Sequence, residues 1–338
     1  MRTARKLDLR SSILDVRIEK RGARLVLVGA TTVPDAIDDI IERLTEIKSK
    51  RYIKDEVRRL PDESVGEAPH AVVRAAVAPV YGDPALPAPQ LTQAVLGTRI
   101  EPLVRAGVWV RVRLEDGYIG WVHSGYLKFG DQDWAYRWER ATYGEPAVSL
   151  GAELLDEEGR VIARLPWGAR VVRFSSEQAE LPDGRRGVLG GGELIPVDRL
   201  ADWFPARGDS ITRTARRWVG VPYLWGGVTT AGVDCSGFVQ AVFWLHGIAL
   251  PRDSDQQSVT GQQIDAGKNF SKLNVGDLVF FSETPARVSH VAISLGGSHI
   301  IHSALTNGGV ELNDLGGNAE LEVRLRSLFT RAQRVLPD

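Results

Sequence analysis

Gly232-Val233-Asp234-Cys235-Ser236-Gly237-Phe238-Val239-Gln240 is the stretch on which the reading turns. Trp225-Gly226-Gly227 leads into it. An apolar run leaves it: Phe238, Val239, Val242, Phe243 and Leu245 recur at helical spacing before Gly247, a natural stop. Cys235 is therefore expected in the first turn of a helix. Unpaired backbone N–H groups and the positive end of the helix dipole favour a thiolate there, and the thiolate is the form that attacks a carbonyl. A lone cysteine is more commonly a small buried hydrophobe. The polar neighbours Asp234 and Ser236, and a glycine-rich approach that leaves room for substrate, argue for a nucleophile.

Such a nucleophile needs a base that takes its proton and later protonates a leaving amine. Of the six histidines, His290 heads Val291-Ala292-Ile293-Ser294-Leu295, which turns at Gly296-Gly297 into Ser298-His299-Ile300-Ile301-His302-Ser303. This reads as a β-hairpin. One bulge residue at its turn would put His290 and His302 on the same face and His299 on the other. His302 is then the candidate for the group that orients the base. His70, His123 and His246 are expected on the surface or in a core. The cysteine and histidines lack the close pairing of a zinc site, so no metal and no cofactor are expected.

The whole chain, 338 residues, is too long for one small core. Domains of about 100–200 residues imply two to four units. Hydrophobic residues make up 43% and charged residues 25%, an ordinary globular composition. A formal net charge of -1 gives no basic excess, so no nucleic-acid partner is expected. Nine tryptophans either fill cores or line sugar- or peptide-binding surfaces. One cysteine precludes an intrachain disulfide. No run approaches the roughly 18 apolar residues of a membrane span. Met1-Arg2-Thr3-Ala4-Arg5-Lys6-Leu7-Asp8 is charged and lacks the apolar stretch of a signal peptide. A cytoplasmic monomer is the expectation, with export as the alternative.

Local signals divide the chain into an α+β, multidomain arrangement. Residues 1–67 form a small α+β cap. Its strands run over 13–19 and 24–28, and Pro34 opens a helix whose Ala36, Ile37, Ile40, Ile41, Leu44 and Ile47 share a face. The charged stretch 48–59 reads as a solvated helix face or linker. The cap shows no catalytic constellation. Residues 68–132 and 133–204 are expected to be two small β-barrels, because Asp116-Gly117-x-x-Gly120, Gly125 and Leu127 recur as Asp183-Gly184-x-x-Gly187, Gly192 and Leu194. Val108, Val110 and Val112 precede the first copy, and Val171, Val172 and Phe174 the second, as alternating strands. Residues 205–338 hold the chemistry, with a helix over 211–219 following Asp209-Ser210.

These motifs carry a resemblance. Pro222-Tyr223-Leu224-Trp225-Gly226-Gly227, Asp234-Cys235-Ser236-Gly237-Phe238-Val239, Pro251-Arg252-Asp253-Ser254-Asp255-Gln256, Gly276-Asp277-Leu278-Val279-Phe280-Phe281 and His290-Val291-Ala292-Ile293 occur in order. Residues 209–335 thereby resemble the NlpC/P60 catalytic domain, a papain-like fold. Both repeat copies resemble bacterial SH3-like domains, the first through Gly117-Tyr118-Ile119-Gly120-Trp121-Val122.

The resemblance implies Cys235 as nucleophile, His290 as base and His302 as the orienting residue. It implies Tyr223 as a donor in the oxyanion region, near the Cys235 N–H. It places Trp225, Asp234, Ser236, Asp253, Ser254 and Ser289 along the substrate groove. The whole arrangement is similar to the γ-D-glutamyl-L-diamino acid endopeptidases, which cut L-Ala-γ-D-Glu-diamino acid stems. In that family the first SH3-like module closes one end of the groove, and Tyr118 would be a wall there. An acidic side chain, often a Glu before a Gln, reads the free amine of L-Ala. Here Pro89 precedes Gln90, and Asp83 in the same loop is the expected substitute. Arg185 and Val188 stand in the second copy where Tyr118 and Trp121 stand in the first, so that copy is expected to be a spacer.

Murein stem peptides or peptidoglycan are the implied partners. Three alternatives stay open: a non-catalytic wall-binding protein, an amidase or acyltransferase on the same scaffold, and an exported hydrolase of intact peptidoglycan.

Overall fold

The computed structural model describes residues 7–284 and 287–336. Met1–Lys6, the start of the expected cap and of the charged N-terminus, lie outside the described residues.

In the cap, strands Leu14–Arg21 and Arg24–Thr31 pair antiparallel around Gly22, whose φ of 61° suits the turn. Pro34 occupies the first turn of helix Pro34–Ile47. Its Ile37 is fully buried against Leu27 and Val57. Ile47, expected on the same face, is the last residue of the helix and is 83% exposed. The stretch 48–59 is neither helix face nor linker. Strand Ile53–Arg59 runs parallel to Arg24–Thr31 at the sheet edge. Only Val57 of that strand is buried, so its sequence shows no apolar alternation.

The two repeat copies each form a seven-stranded sheet with matching topology. In the first, Val110 and Val112 are buried within Trp109–Arg113, whereas Val108 lies in the exposed turn ahead of the strand. In the second, Val171 and Val172 are buried within Arg170–Arg173, and Phe174 lies just past its end, partly exposed. Helix Gln132–Arg140 joins the copies, capped by Asp131, which accepts the Trp134 N–H at 2.7 Å. Its Trp138 packs between Val72 of one copy and Val172 of the other. The expected boundary at 132/133 therefore runs into a shared helix.

The last unit is a six-stranded antiparallel sheet. Its order is Gln262–Ile264, Phe329–Arg334, Val275–Phe281, His290–Gly296, His299–Ala304, Gly309–Asp314. Alternation along the strands feeds two cores. Phe280, Val291, Ile293 and Ile301 meet Trp218, Phe238, Val242 and Phe243 from the helical side. Val279, Phe281, Ala292 and Ile300 meet Phe270, Leu315 and Leu325 on the other. Each fully buried Phe or Ile contributes roughly 1.5–3 kcal/mol. Helices Gly208–Arg216 and Cys235–Leu245 are thereby clamped on one face of the sheet.

The first SH3-like module docks on this unit through specific polar bonds. Gln90 Nε2 donates to the Trp225 carbonyl at 2.9 Å, and the Val228 N–H donates to Gln93 Oε1 at 3.2 Å.

Candidate active site

Cys235 is the first residue of helix Cys235–Leu245, where its motif puts it. Asp234 is the cap: its Oδ1 accepts the Gly237 N–H at 2.7 Å, and its Oδ2 accepts the Gly226 N–H at 2.8 Å. These two bonds lock the Trp225-Gly226-Gly227 turn onto the start of the helix. Gly237 has to be glycine, because a Cβ there would collide with the Gly227 carbonyl oxygen.

The Asp234 carboxylate also takes Arg252 Nη1 at 3.0 Å and Nη2 at 2.6 Å. Arg252 is buried. It donates further to Ser236 Oγ at 2.8 Å and to Thr92 Oγ1 of the first module at 2.7 Å. Asp234 and Ser236, expected along the groove, are instead buried beneath the nucleophile with their polar atoms committed to Arg252 and the backbone. A paired, fully hydrogen-bonded buried carboxylate has nothing left for substrate. Arg252 itself carries no periodic signal in the sequence, although it stands inside a quoted motif.

The sulfur faces the backbone N–H of Val291 and of Ser236. Cys235 thus lies beside the start of strand His290–Gly296. Burial pushes the Cys235 thiol up to about 12, the Asp234 charge adds to it, and the two N–H groups and Arg252 pull the other way. Desolvation and the capping carboxylate oppose the thiolate that the helix N-terminus was expected to favour.

His290 and His302 come together as the hairpin reading required. The pairing register shifts by one residue between Ser294 and Gly296, which is the bulge that puts both on one face. His290 Nε2 lies 2.7 Å from His302 Nδ1. His302 Nε2 lies 2.8 Å from Asn313 Oδ1, and Asn307 Nδ2 donates to that same oxygen at 2.9 Å. Burial pushes both imidazoles below their usual value, His302 to about 4; the neighbouring His302 adds to the effect at His290. Both are neutral at pH 7, which is the state a base needs. Asn307 and Asn313 were not foreseen. Only the register across the turn between the two strands brings them beside His302.

His299 is exposed, and His246 is buried against the Pro205 carbonyl and Thr214 Oγ1.

Tyr223 is held by backbone bonding to the Gly308 carbonyl and a bridge to Val233. Burial and the nearby Cys235 and Asp234 charges push its hydroxyl up to about 12, so it stays a donor beside the sulfur. Trp225 presents an exposed ring at the same turn. Ser289 is exposed, immediately before His290, and Ser254 is buried in the first turn of the short helix Ser254–Gln257. Asp83 is exposed in the loop between Tyr81 and Gln90.

Tyr118 meets Asp253 across the domain junction, its hydroxyl donating to Asp253 Oδ2 at 3.4 Å. The cap, which shows no catalytic constellation of its own, also reaches this corner. Arg10 Nη1 lies 2.8 Å from Asp253 Oδ2 and 2.7 Å from Asp255 Oδ1, and Asp8 accepts Gln256 Nε2 at 2.8 Å. Among the described residues, no group of three or more His, Cys, Asp or Glu side chains is arranged to hold a metal.

Comparison with known proteins agrees with this architecture. Residues 220–324 match the NlpC/P60 family, and residues 76–128 match the bacterial SH3 domain. The gamma-D-glutamyl-L-lysine dipeptidyl-peptidase of Bacillus subtilis is 35% identical over 247 residues, covering 65% of this chain and 74% of that one. The enzyme of the same name from Bacillus cereus is 28% identical over 260 residues, covering 73% of this chain and 75% of its own. The crystal structure of an NlpC/P60 family protein from Bacillus cereus superposes with a TM-score of 0.66 at 24% identity, over 79% of this chain and 100% of that one, a likeness of fold. The chain belongs to the NlpC/P60 family and is a cysteine peptidase.

Proposed function

We propose that this cell-wall peptide hydrolase cuts the bond between γ-D-glutamate and the diamino acid of L-Ala-γ-D-Glu-diamino acid stems, on released peptides in the cytoplasm. The observation that carries the reading is the meeting of Tyr118 with Asp253: a side chain of the first module stands at one end of the groove. A closed end suits a substrate that stops two residues before the scissile bond. The relatives named gamma-D-glutamyl-L-lysine dipeptidyl-peptidase support the bond assignment.

The steps follow from the site. The Cys235 thiol gives its proton to His290 as the sulfur attacks the γ-carbonyl carbon. The Cys235 N–H at the helix start and the Tyr223 hydroxyl stabilise the oxyanion. The tetrahedral adduct collapses, the C–N bond breaks, and His290 passes the proton to the departing amine. Water, deprotonated by His290, then attacks the thioester; the sulfur leaves and recovers its proton from His290. His302 holds the base in place throughout.

One observation favours a second reading, hydrolysis of intact peptidoglycan, in which the L-Ala amine is acylated. Pro89 replaces the expected amine-reading Glu, and Arg10 already engages Asp253 and Asp255, so the carboxylates at the closed end are partnered rather than free for an ammonium.

Incubating the protein with L-Ala-γ-D-Glu-diaminopimelate and its N-acetylated form, with Cys235→Ala as control and products read by mass spectrometry, decides between them. Cleavage of the free stem alone supports the released-peptide reading. Equal cleavage of both selects the intact wall, and cleavage of neither overturns the bond assignment.

A further inference from the structure

We propose that Asn313 is a positioning residue for this reaction: its side-chain oxygen fixes the tautomer of His302 and, through it, that of His290, leaving the ring nitrogen of His290 that does not face His302 unprotonated and able to accept a proton. The inference rests on the reading above that His290 is the base.

Two neutral imidazoles in a row have a direction. Each carries one N–H and one lone pair, so the 2.7 Å bond between His290 Nε2 and His302 Nδ1 contains one proton, donated by one ring or the other. If His290 donates, its Nδ1 is a lone pair and can accept the thiol proton. If His302 donates, His290 Nδ1 carries a hydrogen and the base is disabled. The pair alone does not choose between them.

The choice is made at the far end. His302 Nε2 lies 2.8 Å from Asn313 Oδ1, an atom that only accepts, so His302 carries its proton on Nε2. Its Nδ1 must then accept from His290 Nε2–H. Asn307 opposes a turn of Asn313 alone. Its Nδ2 donates to the same Oδ1 at 2.9 Å; its 3.3 Å approach to His302 Nε2 is longer than the 2.8 Å contact of that nitrogen with Asn313 Oδ1, so the shorter pair of contacts sets two donors on one oxygen. A rotated Asn313 would set its own NH₂ against both.

The fold supplies the geometry. His302 pairs with Glu311 on the adjacent strand, which puts Asn313 diagonally across on the same face, and Asn307 ends the short turn between the strands. An amide, unlike a carboxylate, holds the tautomer without adding charge. The buried base therefore stays neutral and ready to accept a proton.

Nitrogen-15 spectra of histidine-labelled protein read the tautomers without substrate. Both His290 and His302 are expected as Nε2–H, and a His302 carrying its proton on Nδ1 would overturn the proposal. In kinetics, Asn313→Leu is expected to lower kcat about tenfold or more with KM nearly unchanged. Asn313→Asp should regain most of that loss while moving the acid limb of the pH profile upward. Parent-like kcat in Asn313→Leu, or Asn313→Asp as impaired as Asn313→Leu, would overturn it. If Asn313→Leu does not fold, the parent spectrum and Asn313→Asp still decide. If the parent proves inactive on every stem, the substrate reading fails while the spectra still judge the tautomer.

Discussion

The two SH3-like modules build the same hairpin and point it at different things. In the first, the Leu114 N–H donates to the Tyr118 carbonyl at 2.9 Å and the Gly117 N–H to the Leu114 carbonyl at 2.9 Å. In the second, Leu181, Arg185 and Gly184 repeat those bonds at 2.8 and 2.9 Å. Both turns need positive φ, 86° at Gly117 and 87° at Gly184. The side chains diverge. Tyr118 reaches Asp253, and Asp116 accepts Gln240 Nε2 from the nucleophile helix at 3.0 Å. Arg185 turns back on its own module, to Asp183 and the Ile162 carbonyl. A shared backbone therefore does not imply a shared task; what the turn faces decides it.

That contrast can be broken or sharpened by experiment. The largest effect is expected where the first module is welded to the nucleophile. Arg252→Met leaves Asp234 charged, buried and unpaired, and should cost about 3–5 kcal/mol, seen as a fall in melting temperature together with loss of activity. A parent-like melt would mean that the link to Thr92 is incidental.

Acid should then separate the units. His290, His302 and His246 all have folded values below the usual one through burial, and the second module contains no histidine. Above about 6.5 these groups are neutral in both states and contribute nothing. As pH falls from about 6.5 toward about 4, the unfolded chain takes up protons that the folded site refuses, so stability drops. His302 alone should account for about 2 kcal/mol by pH 5. Hydrogen exchange at pH 7 and pH 5 checks this: the catalytic sheet should loosen while the second module does not, and equal loosening of both would contradict it.

The smallest pair of effects tests the hairpins directly. Tyr118→Ala is expected to lower kcat/KM on the free stem about tenfold, the loss of one hydrogen bond to a charged group. Arg185→Ala should leave it within about twofold, because among the described residues Arg185 bonds to Asp183 and the Ile162 carbonyl of its own module. Equal losses would erase the distinction between groove wall and spacer.

The sequence made some of this legible. Helical apolar spacing after Cys235 located the nucleophile helix, and the His290–His302 hairpin could be drawn down to its single bulge, because period and turn chemistry are local. What escaped was non-local or charged. Residues 53–59 form an edge strand in which one side chain is buried, so no alternation marks it. Arg252 is a cation in a core, where patterning expects a hydrophobe. Asn313 depends on a strand register, and Arg10 meets a partner 243 positions away.

Arg10 has one more consequence. Its carbonyl accepts the Ile119 N–H at 2.7 Å while its guanidinium holds Asp253 and Asp255, so a single residue touches cap, first module and catalytic unit. A ribosome delivers Arg10 243 positions before Asp253. The closed end of the groove therefore has no existence while the chain is being made. It is completed only when the catalytic unit meets the cap, and a catalytic unit moved alone into another protein would carry the nucleophile without the Arg10 contacts.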